Sequence, residues 1–268
     1  MIKLIASDLD GTMLPDGTQE LDPGYYTLIR EMHEAGIHFA VASGRQYTAQ
    51  LKLMGPVRDI VSFIAENGAF CLQNGIPFVE KHFDRELAER IILATRRFPD
   101  CGLAAGCNGF TYVEDRGQHL TDIIDEVLNT PLVVLDDMTK YEEAPFKVAL
   151  WCPEDNAGHA AALRELFHKE CRSVLKIITS GDHWIDFMYG GVNKGDALRV
   201  LMNRMGVSRE ETAAFGDQYN DVEMLKLAGT SFVVSTCAPG MEKYADHVTD
   251  NVLESMRQLL DENRRSAG

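Results

Sequence analysis

The chain has 268 residues, enough for one large domain or two modest ones, and its 45% hydrophobic and 25% charged content excludes disordered and fibrous classes. Lys and Arg number 26 against 41 Asp and Glu, a net charge of −15 that repels polyphosphate backbones and excludes nucleic acid as an expected partner. The same charge repels small anions, so an anionic substrate needs a local cation to receive it.

No stretch reaches the ~18 apolar residues that span a bilayer. The opening MIKLIASDLDGT has an apolar run too short for a signal peptide and meets two aspartates at once. The expected location is cytoplasmic, with no membrane partner. The six cysteines, Cys71, Cys101, Cys107, Cys152, Cys171 and Cys237, include no CxxC pair. That disfavours a zinc site and leaves them as small buried hydrophobes or inert thiols.

In chain order, residues 2–7 are a short apolar run of the kind that forms a buried parallel strand. Asp22 and Pro23 stand as N-cap and first helical residue, Leu28, Ile29 and Met32 recur at helical spacing, and Gly36 stops the helix. Residues 37–42 form a second apolar strand, completing a right-handed βαβ unit. Residues 60–65 are a further apolar run, and Glu66-Asn67-Gly68-Ala69 after it reads as a hairpin turn. From about residue 82 to 187 the rhythm changes. Helical patterns at 85–98 and 157–170 alternate with short β-like pieces at 110–113, 132–135, 146–152 and 174–179, the pattern of an α+β insert. The C-terminal quarter returns to alternation: helix 194–205, Ser208 and Glu211 at capping-box spacing, strand 212–215, helix 218–227, strand 231–235 and helix 252–260. The predicted layout is an α/β core of residues 1–81 and 188–268, interrupted by an α+β domain of residues 82–187.

Four segments carry chemistry. Asp8-Leu9-Asp10-Gly11-Thr12 follows the first strand directly, where open parallel sheets bind ligands. Strand alternation puts Asp8 and Asp10 on one side, and a divalent cation relieves the repulsion of two such carboxylates. Taken alone, the segment also reads as an acidic turn. Gly216-Asp217-Gln218-Tyr219-Asn220-Asp221 leaves another strand and opens a helix. Alone it is equally a helix cap; with the first motif it becomes the second half of an oxygen-ligand site. Carboxylates without His or Cys point to a hard cation, and Mg²⁺ suits them. Ala42-Ser43-Gly44-Arg45 ends the second strand, where a hydroxyl and exposed amides can cradle phosphate. Arg45 pairs with an anion or lies on the surface. In Gly191-Val192-Asn193-Lys194-Gly195, a lysine opens a helix, the end that cations avoid. Pairing with a carboxylate or a phosphoryl group would account for it. The histidines form no HxxxH or triad pattern, and neither a Walker A sequence nor GxGxxG is present.

Asp8-x-Asp10-Gly-Thr, Ser43, Lys194 and Gly216-Asp217-x-x-Asn220-Asp221 resemble, in order, the four motifs of the haloacid dehalogenase superfamily. The ASGR, ENGA and VNKGDAL segments look like its Cof-type subfamily IIB, whose α+β cap is inserted between the second and third motifs. The resemblance implies a Rossmann-like, doubly wound parallel-sheet core with an inserted α+β cap. It also implies an Mg²⁺-dependent phosphatase acting on small phosphate esters through an aspartyl-phosphate. Asp8 would be the nucleophile, and Asp10 the general acid/base with its backbone carbonyl on the metal. Thr12, Ser43, Gly44, Arg45, Lys194 and Asn220 would hold phosphoryl oxygens. Asp217 would bind Mg²⁺, and Asp221 would hold the cation's water or Lys194. A phosphomutase of the phosphomannomutase type is the alternative within the same subfamily, and a non-catalytic phosphometabolite-binding protein is a second. Substrate choice would lie in the cap, at loops 107–110 and 180–186. Two departures stand out: Cys237-Ala238 replaces the family's usual Asn-Ala, and Glu254-Ser255-Met256 lacks its usual Gly-Val.

Overall fold

Alternate residues of the first strand face two different helical layers, and this decides the architecture. The computed structural model describes the chain except residues 16, 17, 19, 108, 115, 117–119, 129, 130, 155, 181, 182 and 268. It divides into two compact units, Met1–Glu80 with Asn193–Gly268, and Lys81–Val192.

The first unit begins with β1 (Leu4–Ser7), α1 (Pro23–Glu34), β2 (His38–Ala42), α2 (Tyr47–Leu53), β3 (Val61–Ala65), β4 (Phe70–Gln73) and β5 (Ile76–Glu80). The second holds α3 (Arg85–Thr95), β6 (Gly102–Gly106), β7 (Thr111–Glu114), α4 (Leu120–Leu128), β8 (Leu132–Val134), β9 (Lys147–Trp151), α5 (Asn156–Leu166), β10 (Leu175–Ser180) and β11 (Trp184–Tyr189). The chain then returns to the first unit with α6 (Lys194–Met205), β12 (Thr212–Gly216), α7 (Val222–Leu227), β13 (Thr230–Val234), β14 (His247–Thr249) and α8 (Val252–Ala267).

The first unit is built on an 8-stranded sheet in the order β14-β13-β12-β1-β2-β3-β4-β5. Strands from β14 to β3 are parallel, and β4 and β5 close the edge as an antiparallel hairpin extension. Ile5, Phe39, Val41, Ala213 and Phe215 pack on one face against Leu28, Ile29 and Met32 of α1 and Met256 and Leu260 of α8. Leu4, Ala6, Ala40, Ala42 and Ala214 pack on the other against Leu198 and Leu201 of α6 and Leu225 of α7. This is a doubly wound sheet with helices on both sides. Asp22 accepts a hydrogen bond from the Gly24 amide and Pro23 opens α1. Arg209–Glu211 carries both hydrogen bonds of the Ser208 capping box, although the element it opens is a single 3-10 turn.

The second unit has a 6-stranded sheet in the order β10-β11-β9-β6-β7-β8. All its pairings are antiparallel except β7 with β8. Helices α3 and α5 bury Leu87, Ile91, Ala160 and Leu163 in one cluster with Leu103, Val148, Leu150, Ile177 and Phe187.

Several boundaries differ from the sequence reading. Strand β11 belongs whole to the second unit, which runs to Val192 rather than to residue 187. Helix 218–227 is instead a 3-10 turn, Tyr219–Asp221, leading into α7. Helix 252–260 continues to Ala267; its last turns are polar, so no apolar period marks them in the sequence. Among the described residues, no helix is long and apolar enough to cross a membrane.

His38, at the start of β2, hydrogen-bonds through Nε2 with Ser62 Oγ at 2.8 Å. Burial, with the charge of His33 adding, lowers its pKa from 6.5 to about 4. The folded pKa is depressed, so the unfolded chain takes up a proton first as the pH drops. Stability from this residue is intact above pH ~6.5 and is lost as the pH falls toward 4. Urea titration of the wild type between pH 7 and pH 5 should show ~2 kcal/mol more loss than His38→Gln. An equal pH dependence in both proteins contradicts the assignment.

Candidate active site

β1, β2 and β12 are adjacent and parallel, with Ser7 opposite both Val41 and Phe215. Their carboxyl ends therefore deliver Asp8, Ser43 and Asp217 to one edge of the sheet, where such folds bind ligands. The fourth sequence motif arrives from the helix side, as α6 starts at Lys194 with the Asn193 side chain capping it.

Lys194 is fully buried. Its Nζ donates to Asp8 Oδ1 at 2.8 Å and to Asp221 Oδ1 at 2.6 Å. Asp221, also fully buried, uses Oδ2 to accept from the amides of Asp217 and Gln218, both at 3.0 Å. Asp8 Oδ1 accepts in addition from the Leu9 amide at 2.7 Å. Asp217 is fixed from two sides: Thr12 Oγ1 donates to its Oδ1 at 2.9 Å, and the Ala238 amide donates to its carbonyl at 2.9 Å. Two glycines make room for this cluster. Gly11 has φ +77°, and a Cβ there would lie 2.3 Å from Asp217 Oδ2. At Gly216 a Cβ would lie 2.6 Å from that of Asp221. No side chain fits at either position.

Asp10 does not join Asp8. After Asp8 the backbone turns, with the Thr12 and Leu14 amides both donating to the Leu9 carbonyl. The Asp10 side chain stands half exposed and meets Arg45, whose Nη2 donates to Oδ1 at 2.6 Å and whose Nε lies 3.0 Å from Oδ2. Ser43 Oγ reaches the same carboxylate at 3.4 Å. The anion that Arg45 pairs with is thus Asp10. Asn220 lies outside both groups, exposed, with Nδ2 on Asn67 Oδ1 at 2.9 Å.

Asn67 was not singled out by sequence, and its segment does form the β3–β4 hairpin connection. Its left-handed φ of 55° lets its amide donate to the Ser43 carbonyl while the Glu66 amide donates to that of Arg45. A Cβ on Gly44 would sit 3.1 Å from Asn67 Nδ2. The turn therefore buttresses the Ser43–Arg45 loop, and an Asn in a left-handed turn is the signal that marks it. Of the two candidate specificity loops, residues 108, 181 and 182 lie outside the described residues.

Burial pushes the Asp8 carboxyl well above the usual carboxylate range; the Asp221 charge adds to this and Lys194 opposes it. Burial also raises Asp217, against the Thr12 hydrogen bond. Burial alone would lower Lys194, but Asp221 and Asp8 hold it above the ordinary lysine value. Ligand oxygens of Asp8, Asp217 and Asp221 all lie within 4.8 Å of one another. Three carboxylates against one ammonium leave an excess of two negative charges, which fits a divalent hard cation. Asp221 has its oxygens taken by Lys194 and two amides, so Asp8 and Asp217 are the fitting ligands and Asp221 supports them.

A doubly wound sheet with an acidic, lysine-braced cluster at its carboxyl edge defines an enzyme that handles an anionic group. The family model for haloacid dehalogenase-like hydrolases matches residues 5–255. The 5-amino-6-(5-phospho-D-ribitylamino)uracil phosphatase YbjI of Escherichia coli is 25% identical over 261 residues, covering 97% of this chain and 95% of that protein. A solved structure from Eubacterium rectale is 27% identical with a TM-score of 0.87, covering 96% of this chain and 99% of that one. The subclass IIB sugar phosphatase BT4131 shares the fold, with a TM-score of 0.76 at 17% identity over 96% of this chain and 98% of that one. The chain belongs to the haloacid dehalogenase-like hydrolase family and is a phosphoric monoester hydrolase.

The buried Lys194 is the keystone that lets two carboxylates share a dry site. Lys194→Met leaves Asp8 and Asp221 uncompensated and should cost ~3–5 kcal/mol in urea unfolding. An unchanged unfolding midpoint would contradict this account of the cluster.

Proposed function

We propose that the chain hydrolyses small phosphorylated metabolites, such as sugar or cofactor phosphates, with Asp8 as nucleophile and Mg²⁺ as cofactor. The observation that carries this reading is Lys194, buried between Asp8 and Asp221 at the carboxyl edge of the sheet. A lysine placed there holds Asp8 in one orientation and puts positive charge beside an incoming phosphoryl group. YbjI, named for a phosphorylated small molecule, supports the substrate class.

Asp8 and Asp217 would hold the cation, with the Asp10 carbonyl as a further ligand. When bound, it lets an anionic carboxylate approach an anionic phosphoryl group and neutralises charge as the bond to the leaving oxygen breaks. Asp8 attacks phosphorus, and the bond between phosphorus and the ester oxygen breaks as Asp10 gives that oxygen a proton. A water molecule then attacks the aspartyl-phosphate, Asp10 takes its proton, and inorganic phosphate leaves with Asp8 restored. The Arg45 fork and the Ser43 hydroxyl already grip an anion, the Asp10 carboxylate. A phosphoryl group offers the same paired oxygens to a guanidinium. Arg45, Ser43, Thr12, Lys194, Asn220 and the Gly44 backbone are the proposed phosphate contacts.

The test is phosphate release across a panel of phosphomonoesters. Turnover should vanish in excess EDTA and return with Mg²⁺. Asp8→Asn should show none, because an amide is a very poor nucleophile. Asp10→Asn should lose ~10²–10⁴ in rate. Its first step should suffer less with p-nitrophenyl phosphate than with an alkyl phosphate, since a good leaving group needs no proton. Mass spectrometry of the acid-quenched variant should find phosphate on the Asp8 peptide. Wild-type turnover in Asp8→Asn, or full activity in EDTA, overturns the reading.

A further inference from the structure

The six cysteines are not all solitary. The antiparallel β6–β9 pairing ends with Gly102 opposite Trp151. Cys101 directly precedes Gly102 and Cys152 directly follows Trp151, so the two cysteines flank the same end of the pairing. Both thiols are buried, at 1% and 0% exposure, in the core of the inserted unit. A third donor comes from α5, where His159 sits in the first turn and turns Nδ1 toward Cys101 Sγ at 3.9 Å. The Phe98 ring lies against the imidazole, with centroids 4.2 Å apart, and fixes its tilt. The three ligand atoms all lie within 4.8 Å of one another.

We propose that Cys101, Cys152 and His159 form a second metal site, for a soft or borderline divalent cation of the zinc class. Around a tetrahedral zinc ion, sulfur and nitrogen ligands stand about 3.5–3.8 Å apart, given bonds of ~2.3 Å to sulfur and ~2.0–2.1 Å to nitrogen. The Cys101–His159 separation is already close to that range. Two thiolates and one neutral imidazole make a complex with a divalent ion that carries no net charge, which suits burial. The fourth position would be left to water or another ligand.

The donors separate this site from the acidic cluster of the first unit. That cluster is all oxygen and suits a hard cation; this one is sulfur and nitrogen and selects a softer ion. The thiolate is the ligand form of cysteine, so binding displaces the thiol protons of Cys101 and Cys152, two per ion bound. A disulfide would use the two sulfurs and leave His159 without a part, whereas a metal uses all three donors. Bound metal would tie the ends of β6 and β9 to the first turn of α5, and so brace the inserted unit.

The test uses the full-length protein, reduced and stripped of metal, with excess Mg²⁺ present to occupy oxygen sites. Adding Co²⁺ should develop a thiolate-to-cobalt charge-transfer band that saturates at one equivalent, and Zn²⁺ should bleach it. Cys152→Ala should lose the band. His159→Gln changes a residue that is only partly buried and should still fold; it should bind Zn²⁺ at least ~10-fold more weakly. Thermal unfolding of each metal-free variant checks that it remains folded. The absence of a sulfur–cobalt band in the wild type overturns the proposal, as does an undiminished band in Cys152→Ala. Quantitative conversion of Cys101 and Cys152 to a disulfide by mild oxidant, in a protein that binds no Co²⁺, also overturns it and makes the pair a redox element.

Discussion

One buried ammonium organises the first unit. Lys194 has no exposure to solvent, and an isolated charge there would be prohibitive. It is tolerated because Asp8 and Asp221 each place an oxygen on it, and they in turn are tolerated because it is present. Asp8 follows directly on β1, Lys194 is the first residue of α6 and Asp221 lies in the turn after β12, so the triad holds three elements in one arrangement. The face of the sheet beneath α6 is lined by Ala6, Ala40, Ala42 and Ala214. Small side chains there let the helix settle close to the sheet, so that its first residue reaches the strand ends. The electrostatic site and the packing of that face are one constraint seen from two sides.

The features legible in the sequence are those carried by short-range pattern. The βαβ opening, the Asp22–Pro23 helix start, the run of α6 and the C-terminal alternation all follow from apolar period and capping residues. The elements that escaped have no such period. β6 reads Gly-Leu-Ala-Ala-Gly, a poor strand by propensity, yet all five residues are buried between β7 and β9. The boundary at residue 187 falls inside β11, whose pairing with β9, more than thirty residues earlier in the chain, leaves no local signal. The far end of α8 has no apolar period; Asn263 ties it to the Ile2 backbone and Arg264 to Glu31, contacts that no local pattern announces.

The site shows the same division. Asp8, Lys194 and Asp217 were legible because each sits at a strand end or helix start, where the local element fixes the position. Asn67 was not, because its value lies in contacts to a loop more than twenty residues earlier in the chain. The neighbourhood of Cys101, Cys152 and His159 was invisible for the same reason: no CxxC spacing announces it, and only the pairing of two strands and one helix assembles it. The direction of Asp10 was also beyond strand alternation, because the strand has ended and a tight turn has begun before that residue is reached.

Within the site, side chains pass from buried to exposed. Asp8, Lys194 and Asp221 are buried and multiply bonded, while the Asp10 side chain is 52% exposed. The proposed reaction calls for this gradient. A nucleophile must attack along one line, and its position is best fixed before substrate arrives, by groups that need not reorganise. An acid/base has to meet two partners in turn, the leaving alcohol and then water, and a group locked in a dry core could serve only one. Arg45 holds Asp10 at this open edge through an ion pair between side chains that solvent reaches, a bond weak enough to be exchanged. The core pair around Lys194, shut away from water, has no such freedom. The same pairing of opposite charges thus does two different jobs in this site, and the depth of burial decides which.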